Sequence, residues 1–261
     1  MDDILDLGTY PIHAPGSAAY EDLVKRCQSD LAAEGMFNLV GFMQADAVER
    51  LADGLSPRYP SQSFRHAREH NIYFDDALDL GADHPALRRV TTINNTLCAD
   101  QLADTVLEAI YSYPPFVAFL AEVMEMPALH VMDDPLAAFN AMAYFEGQGL
   151  NWHFDRSEFT TTLLLQKPEG GGVFQYRPAL RSAQDPNFDG VARLLEGRDN
   201  RQRDMSVEAG TLNVFKGVNT AHRVTPVQGA RARIVAVFTY YEQPGARFSD
   251  TERLGFYGRI A

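Results

Sequence analysis

The chain reads as a mainly β protein with helical additions, a jelly-roll core flanked by N-terminal helices. Three observations carry this reading. From about residue 137 short β-type runs follow one another closely, glycine-rich turns punctuate them, and the first third of the chain instead repeats apolar residues at helical spacing. Short strands at that density suggest a sandwich or barrel, with the jelly roll, the cupin-like architecture, as the natural case.

The elements follow in order. Leu23, Cys27 and Leu31 recur at four-residue steps, and Gly35 stands where a helix C-cap is expected. The run 35–42 is short, apolar and bounded by glycines, which suits a strand better. Val48, Leu51 and Leu55 form a second helical stripe, with Asp46 as its expected N-cap. Phe116, Phe119, Leu120, Val123 and Met124 make the clearest helix, opened by Pro114-Pro115. Strands are expected over 137–145, 159–166, 173–176, 205–208, 211–215 and 233–241. Gly147-Gln148-Gly149, Gly170-Gly171-Gly172 and Ala209-Gly210 supply turns between them. The charged stretch 177–204 contains Pro178 and Pro186 and reads as an insertion, with a helical piece over 191–195, able to close over a site mouth. The expected organisation is one domain over 1–261: mostly helical support over 1–136, the core over 137–241, and an extension over 242–261.

With 261 residues, of which 46% are hydrophobic, the chain can bury a sizeable core. A formal net charge of −12 argues against a general nucleic-acid or membrane-surface binder, while leaving room for a locally basic pocket. No stretch approaches the ~20 apolar residues of a membrane span. The opening Met1-Asp2-Asp3 is acidic where a secretion signal is basic. Cys27 and Cys98 lie far apart in helix-like segments and read as buried thiols in a reducing compartment. A cytoplasmic protein is expected, with oligomerisation left open.

The most informative motif is His153-Phe154-Asp155, joined much later by His222. Two imidazoles and one carboxylate form a facial triad, which leaves about half of an octahedral iron(II) sphere free. Residues i and i+2 of an extended strand point to one side, so His153 and Asp155 can reach one metal, with His222 supplied by another strand. His66 and His70, four apart, would share one face of a helix; Arg65 and Arg68 interleave with them, and the pair reads instead as a solvated helix or loop face. His13, His84 and His130 stand alone near loops or element ends. A strand antiparallel to that of His222 would bring Arg231 or Arg233 back over the metal pocket, where a guanidinium offers a planar fork for a carboxylate. Residues two apart share a face, so parity does not separate the two arginines. Asn140, Met142 and Tyr144 lie on one face of the strand leading to the motif, and Asn140 and Tyr144 want hydrogen-bond partners there. Tyr144 reads either as a structural tyrosine or as a cosubstrate contact.

These residues resemble the iron(II)/2-oxoglutarate-dependent dioxygenases. The pattern is Tyr144-x-x-Gly147, His153-x-Asp155, Gly171-Gly172-Val173-Phe174, Gly210-Thr211-Leu212, and His222-Arg223-Val224-x-Pro226-Val227-x-Gly229-x-Arg231, with the 35–42 run similar to the family's N-terminal strand. The resemblance implies a double-stranded β-helix core, iron bound by His153, Asp155 and His222, Arg231 on the distal carboxylate of 2-oxoglutarate, O₂ as oxidant, and a cosubstrate contact from Tyr144. The stretch from Asn151 to Tyr241 is most similar to the carrier-independent radical halogenases of free amino acids and their hydroxylating siblings, whose substrates include lysine. The halogenases have a small residue where Asp155 stands, leaving a position for chloride; the carboxylate here implies hydroxylation. Lysine-acting relatives place an acidic residue just after the motif, whereas this chain has Arg156, which favours a carboxylate-bearing small molecule; Glu158 is a candidate substrate contact or partner of Arg156. A halogenase, a non-catalytic metal or small-acid binding module, and a zinc hydrolase are the alternatives.

Overall fold

The structure, a computed structural model, describes residues 1–260. Helix α1 (Ala18–Glu34) starts where the Ser17 hydroxyl accepts the Tyr20 N–H and stops at Gly35, whose φ of 72° is left-handed backbone that glycine adopts without strain. Strand β1 (Met36–Leu39) follows, as expected, and then helix α2 (Ala45–Leu55). Its N-cap is Gln44, not Asp46, which lies in the first turn and accepts from Arg50 at 2.6 Å. A short helix α3 (Tyr59–Gln62) leads into two strands that the helical reading of residues 1–136 did not foresee, β2 (Phe64–His70) and β3 (Val90–Leu97). Helices α4 (Val106–Tyr111) and α5 (Pro114–Val123) precede β4 (His130–Val131), and Pro114 opens α5 as its spacing suggested.

The remaining strands are β5 (Phe139–Tyr144), β6 (Leu150–His153), β7 (Thr160–Gln166), β8 (Gly170–Gly171) and β9 (Phe174–Arg177). After helix α6 (Phe188–Leu195), inside the expected insertion, come β10 (Arg203–Met205), β11 (Leu212–Phe215), β12 (Ala221–Val224), β13 (Val227–Gln228), β14 (Arg233–Phe238) and β15 (Tyr240–Tyr241). Helix α7 (Asp250–Tyr257), capped by Ser249, ends the fold. No helix among the described residues is long and apolar enough to cross a membrane.

A seven-stranded sheet runs in the order β1-β11-β7-β14-β5-β3-β2, and a four-stranded sheet in the order β10-β9-β12-β6. All their pairings are antiparallel, as in a double-stranded β-helix. The alternation of side chains along each strand decides which residues meet which layer. The outward face of the larger sheet, including Ala141, Ala143, Leu163, Leu165, Ile234 and Ala236, is fully buried with Phe116, Phe119, Leu23 and Leu51 of the helices. The inward face turns toward the smaller sheet and lines a cavity. At one edge β3 bridges the two sheets: Ile93 N–H donates to Gly149 O, and Asn151 N–H to the Thr92 hydroxyl. Helix α6 packs Val191 and Leu194 against Trp152, Phe154 and Leu180, which fixes the insertion behind the smaller sheet. Arg253 of α7 reaches the fully buried Asp134 at 2.9 Å and ties that helix beside the cavity mouth. Cys27 and Cys98 are buried and free; Cys27 lies within α1, whereas Cys98 follows β3 and caps a short 3-10 helix. Burial pushes Cys27 up to about 12 and Cys98 up to about 11.

Candidate metal centre

In the smaller sheet His222 of β12 lies directly opposite His153 of β6, so antiparallel register alone brings both imidazoles to one face. Their ring centroids stand 4.1 Å apart. Each ring is oriented the same way: His153 Nδ1 bonds Asn151 O and His222 Nδ1 bonds Thr220 O, both at 2.9 Å. Nδ1 donating to a carbonyl leaves Nε2 as a bare lone pair, which is the tautomer a metal ligand requires. Asp155 lies just past the end of β6, where its N–H donates to Gly217 O at 3.1 Å. Its Oδ1 faces both rings, 3.3 Å from His153 Nε2 and 3.5 Å from His222 Nε2. Its other oxygen accepts from the Thr160 hydroxyl at 2.5 Å. Gly217 is required at this spot, because a Cβ there would run into the Asp155 carboxylate and Thr160.

The ligand atoms of His153, Asp155 and His222 all lie within 4.8 Å of one another. Burial alone would raise the Asp155 carboxyl, but the two imidazoles, His222 foremost, hold it well below the usual carboxylate range. Burial and the neighbouring His222 lower His153, while on His222 the pull of Asp155 overcomes burial and raises it. Two oriented nitrogen lone pairs and one ionised oxygen, converging from one side and open on the other, fit iron(II). Phe174 stacks on His222 at 5.6 Å and Phe215 meets it edge-on at 4.7 Å, so the donors rest against aromatic walls.

The triad opens onto a cavity of about 340 Å³ lined by the inward faces of both sheets. The two candidate arginines differ in their positions here. Arg231 lies in the bend before β14 and is exposed, outside the alternation of the strand, so sharing parity with Arg233 does not give it the same face. Arg233, the first residue of β14, is buried and lines the cavity. It arrives from the facing sheet and not, as expected, from a strand beside that of His222. Register sets Arg233 opposite Tyr144, with its guanidinium 5.9 Å from the ring centroid. Burial pulls the Arg233 guanidinium down and pushes the Tyr144 hydroxyl up. Among the described residues no carboxylate lies within ion-pair distance of Arg233. Leaving such a charge buried and unpaired is costly, so it calls for an anion from outside the chain.

The other expected residues divide. Asn140 shares the inward face of β5 but does not line the cavity: its amide donates to Leu136 O and its carbonyl accepts from the Tyr257 hydroxyl at 3.1 Å. Arg156 is at the cavity mouth and exposed, with Glu252 of α7, and not Glu158, as its partner. Glu158 is exposed and outside the cavity. The residues that sequence reasoning passed over are on β2 and β3. His66, Arg68 and His70 are on a strand, not a helix, and all three line the cavity with Thr92, Asn94 and Thr96 of β3. The two-residue alternation of Phe64, His66, Arg68 and His70 was a usable signal.

The sequence model of the halogenase D family matches residues 20–251. No curated protein sequence matches significantly. Among solved structures, HygX from Streptomyces hygroscopicus, with nickel, 2-oxoglutarate and hygromycin B bound, superposes with a TM-score of 0.59 at 14% identity over 90% of this chain and 96% of that one. SnoN, the non-heme alpha ketoglutarate dependent epimerase from nogalamycin biosynthesis, gives 0.58 at 13% identity over 84% and 83%. A 2OG-Fe(II) oxygenase family oxidoreductase from Burkholderia pseudomallei gives 0.53 at 16% identity over 85% and 92%. At these identities the likeness is one of fold. With a family match over most of its length, the chain belongs to the halogenase D family.

Proposed function

We propose that the protein, acting as a single domain, hydroxylates an unactivated C–H bond of a small free amino acid or related carboxylate-bearing metabolite. In this reading His153, Asp155 and His222 hold iron(II), and Arg233 takes the distal carboxylate of 2-oxoglutarate beside Tyr144. Bound iron would activate O₂, the oxidant, with 2-oxoglutarate giving two electrons as it becomes succinate and CO₂ and takes up one oxygen atom, and the C–H bond giving the other two as it takes up the second. The chain contributes orientation and exclusion of water. Asn151 O and Thr220 O keep both imidazoles in the ligating tautomer. Thr160 and Gly217 hold the carboxylate of Asp155 toward them. Met142, Val235 and Val237 give the cavity a dry floor against which a C–H bond can lie.

The single observation that carries the hydroxylase reading is the Asp155 carboxylate, 3.3 and 3.5 Å from the two imidazole nitrogens. It fills the coordination position that a radical halogenase leaves for chloride. Halogenation is the second reading, and the halogenase D match favours it. Anaerobic addition of iron(II) and 2-oxoglutarate to the full chain is expected to give a weak visible charge-transfer band. A coupled succinate assay over free amino acids and small acids in chloride buffer, with products weighed by mass spectrometry, is expected to return mass gains of one oxygen. A chlorinated product would overturn the hydroxylase assignment.

A further inference from the structure

The cavity lining is unbalanced in charge. Among the described residues that line it, Arg68, Arg156 and Arg233 contribute three guanidinium groups, and Asp155 is the sole carboxylate, already turned toward His153 and His222. With Arg233 assigned to the cosubstrate, two cations remain at the substrate end. Arg68 projects from the inward face of β2 and lies 4.6 Å over the Phe74 ring. That ring meets His153 edge-on at 5.8 Å, so Arg68 stands one ring away from the metal centre. Arg156 lies 5.5 Å over Phe256 of α7, and Phe256 stacks on His66, the inward neighbour of Arg68 along β2. The two arginines thus belong to one continuous wall.

Their protein partners do not neutralise them. Among the described residues Arg68 has no carboxylate within ion-pair distance. Arg156 has only Glu252 at 3.4 Å, a surface pair with side chains 66% and 37% exposed, a type of contact that contributes little. Burial, and then the charge of Arg156, pull Arg68 down from its ordinary value against a smaller opposing pull from Asp76, so the two cations sense each other. An anion between them relieves that repulsion and receives two planar donor forks, whereas an ammonium there adds a third positive charge and finds no free carboxylate.

We propose that Arg68 and Arg156 receive an anionic group of the substrate, and that the enzyme acts on small acids or acidic amino acids rather than on amines such as lysine. This rests on the oxygenase reading above, with 2-oxoglutarate occupying the Arg233 end. The test is anaerobic calorimetry on the iron-loaded full chain, with 2-oxoglutarate saturating so that Arg233 is already engaged. L-glutamate, L-aspartate and short dicarboxylic acids are titrated against L-lysine and L-ornithine. The acids are expected to bind at least tenfold more tightly than the amines, and Arg68→Gln to weaken them at least tenfold. Arg156→Asp, a change at an exposed position that spares folding, is expected to move the preference toward lysine. The inference is overturned if the amines bind as well as the acids, or if no acid binds wild type more tightly than both variants. The iron–2-oxoglutarate band is recorded in the same samples. Its absence removes the oxygenase reading, whereas an intact band without acid preference removes this inference alone.

Discussion

The two faces of the larger sheet are built from the same strands and could hardly differ more. Along β14, Ile234, Ala236 and Phe238 point outward into the packing under α1, α2 and α5, while Arg233, Val235 and Val237 point into the cavity. Along β5, Ala141 and Ala143 face out, and Met142 and Tyr144 face in. The outward face is apolar and packed by its own neighbours; the inward face carries polar and charged side chains, among them Tyr144 and Arg233, toward the cavity. Strand periodicity lets one segment of chain serve both ends, because each substitution touches a single face. Stability and chemistry are therefore separable at adjacent residues.

Four substitutions, and one control at Arg231, test that separation of structural from cavity-lining residues. The largest effect is expected from His222→Ala, which removes one of the proposed iron donors: metal binding should be lost and product formation should fall more than the roughly 10- to 100-fold typical of changes around a metal's ligands. Retained iron at one equivalent, measured by metal analysis, would break the assignment. On the outward side, Phe119→Ala is expected to cost about 3–5 kcal/mol of stability by opening a cavity among α1, α5 and β1. Urea unfolding should report that loss, while the folded fraction keeps its iron stoichiometry and its affinity for 2-oxoglutarate.

Arg233→Met comes next, weakening 2-oxoglutarate by about 30-fold or more, since truncating one partner of a buried charge pair costs at least ~2 kcal/mol. Titration of the visible band measures it, and the same change at the exposed Arg231 should leave the titration unmoved. The smallest effect is expected from Thr160→Val, which removes the hydroxyl holding the outer oxygen of Asp155. Iron affinity should fall about tenfold with little change in unfolding midpoint, as for other groups that orient a metal ligand. An equal loss of stability and of iron would mean that the two faces are not independent.

Much of the site was legible because its grammar is local. His153-Phe154-Asp155 places two donors by strand geometry, His222 needs only to arrive from another strand, and the helix ends at Gly35 and Pro114 follow from backbone preference. His66 and His70 were misread for a specific reason. Residues four apart share a face in a helix and in a strand alike, so that spacing cannot distinguish them, and the arginines between them suggested solvent. In the fold Arg65 faces out while Arg68 faces the cavity. The strand β3 was equally obscure, since Thr91, Thr92, Asn94, Asn95 and Thr96 carry little of the apolar signal that marks a buried strand.

Residue order alone pointed to the proposed donor set, the apolar stripes of the covering helices and most of the short strands from residue 137 onward, since strand and helix periodicity is local. The strand expected over 205–208 instead forms over Arg203–Met205, where it pairs with β9. Folding in three dimensions placed Arg233 and not Arg231 in the cavity wall, because the bend before β14 includes Arg231 and only the strand proper alternates toward the cavity. It also carried β2, from early in the chain, to the far edge of the same sheet, where Arg68 meets the metal's surroundings. Pairing between strands distant in sequence is a global packing result, and no local pattern encodes which unpaired cations such packing will bring together.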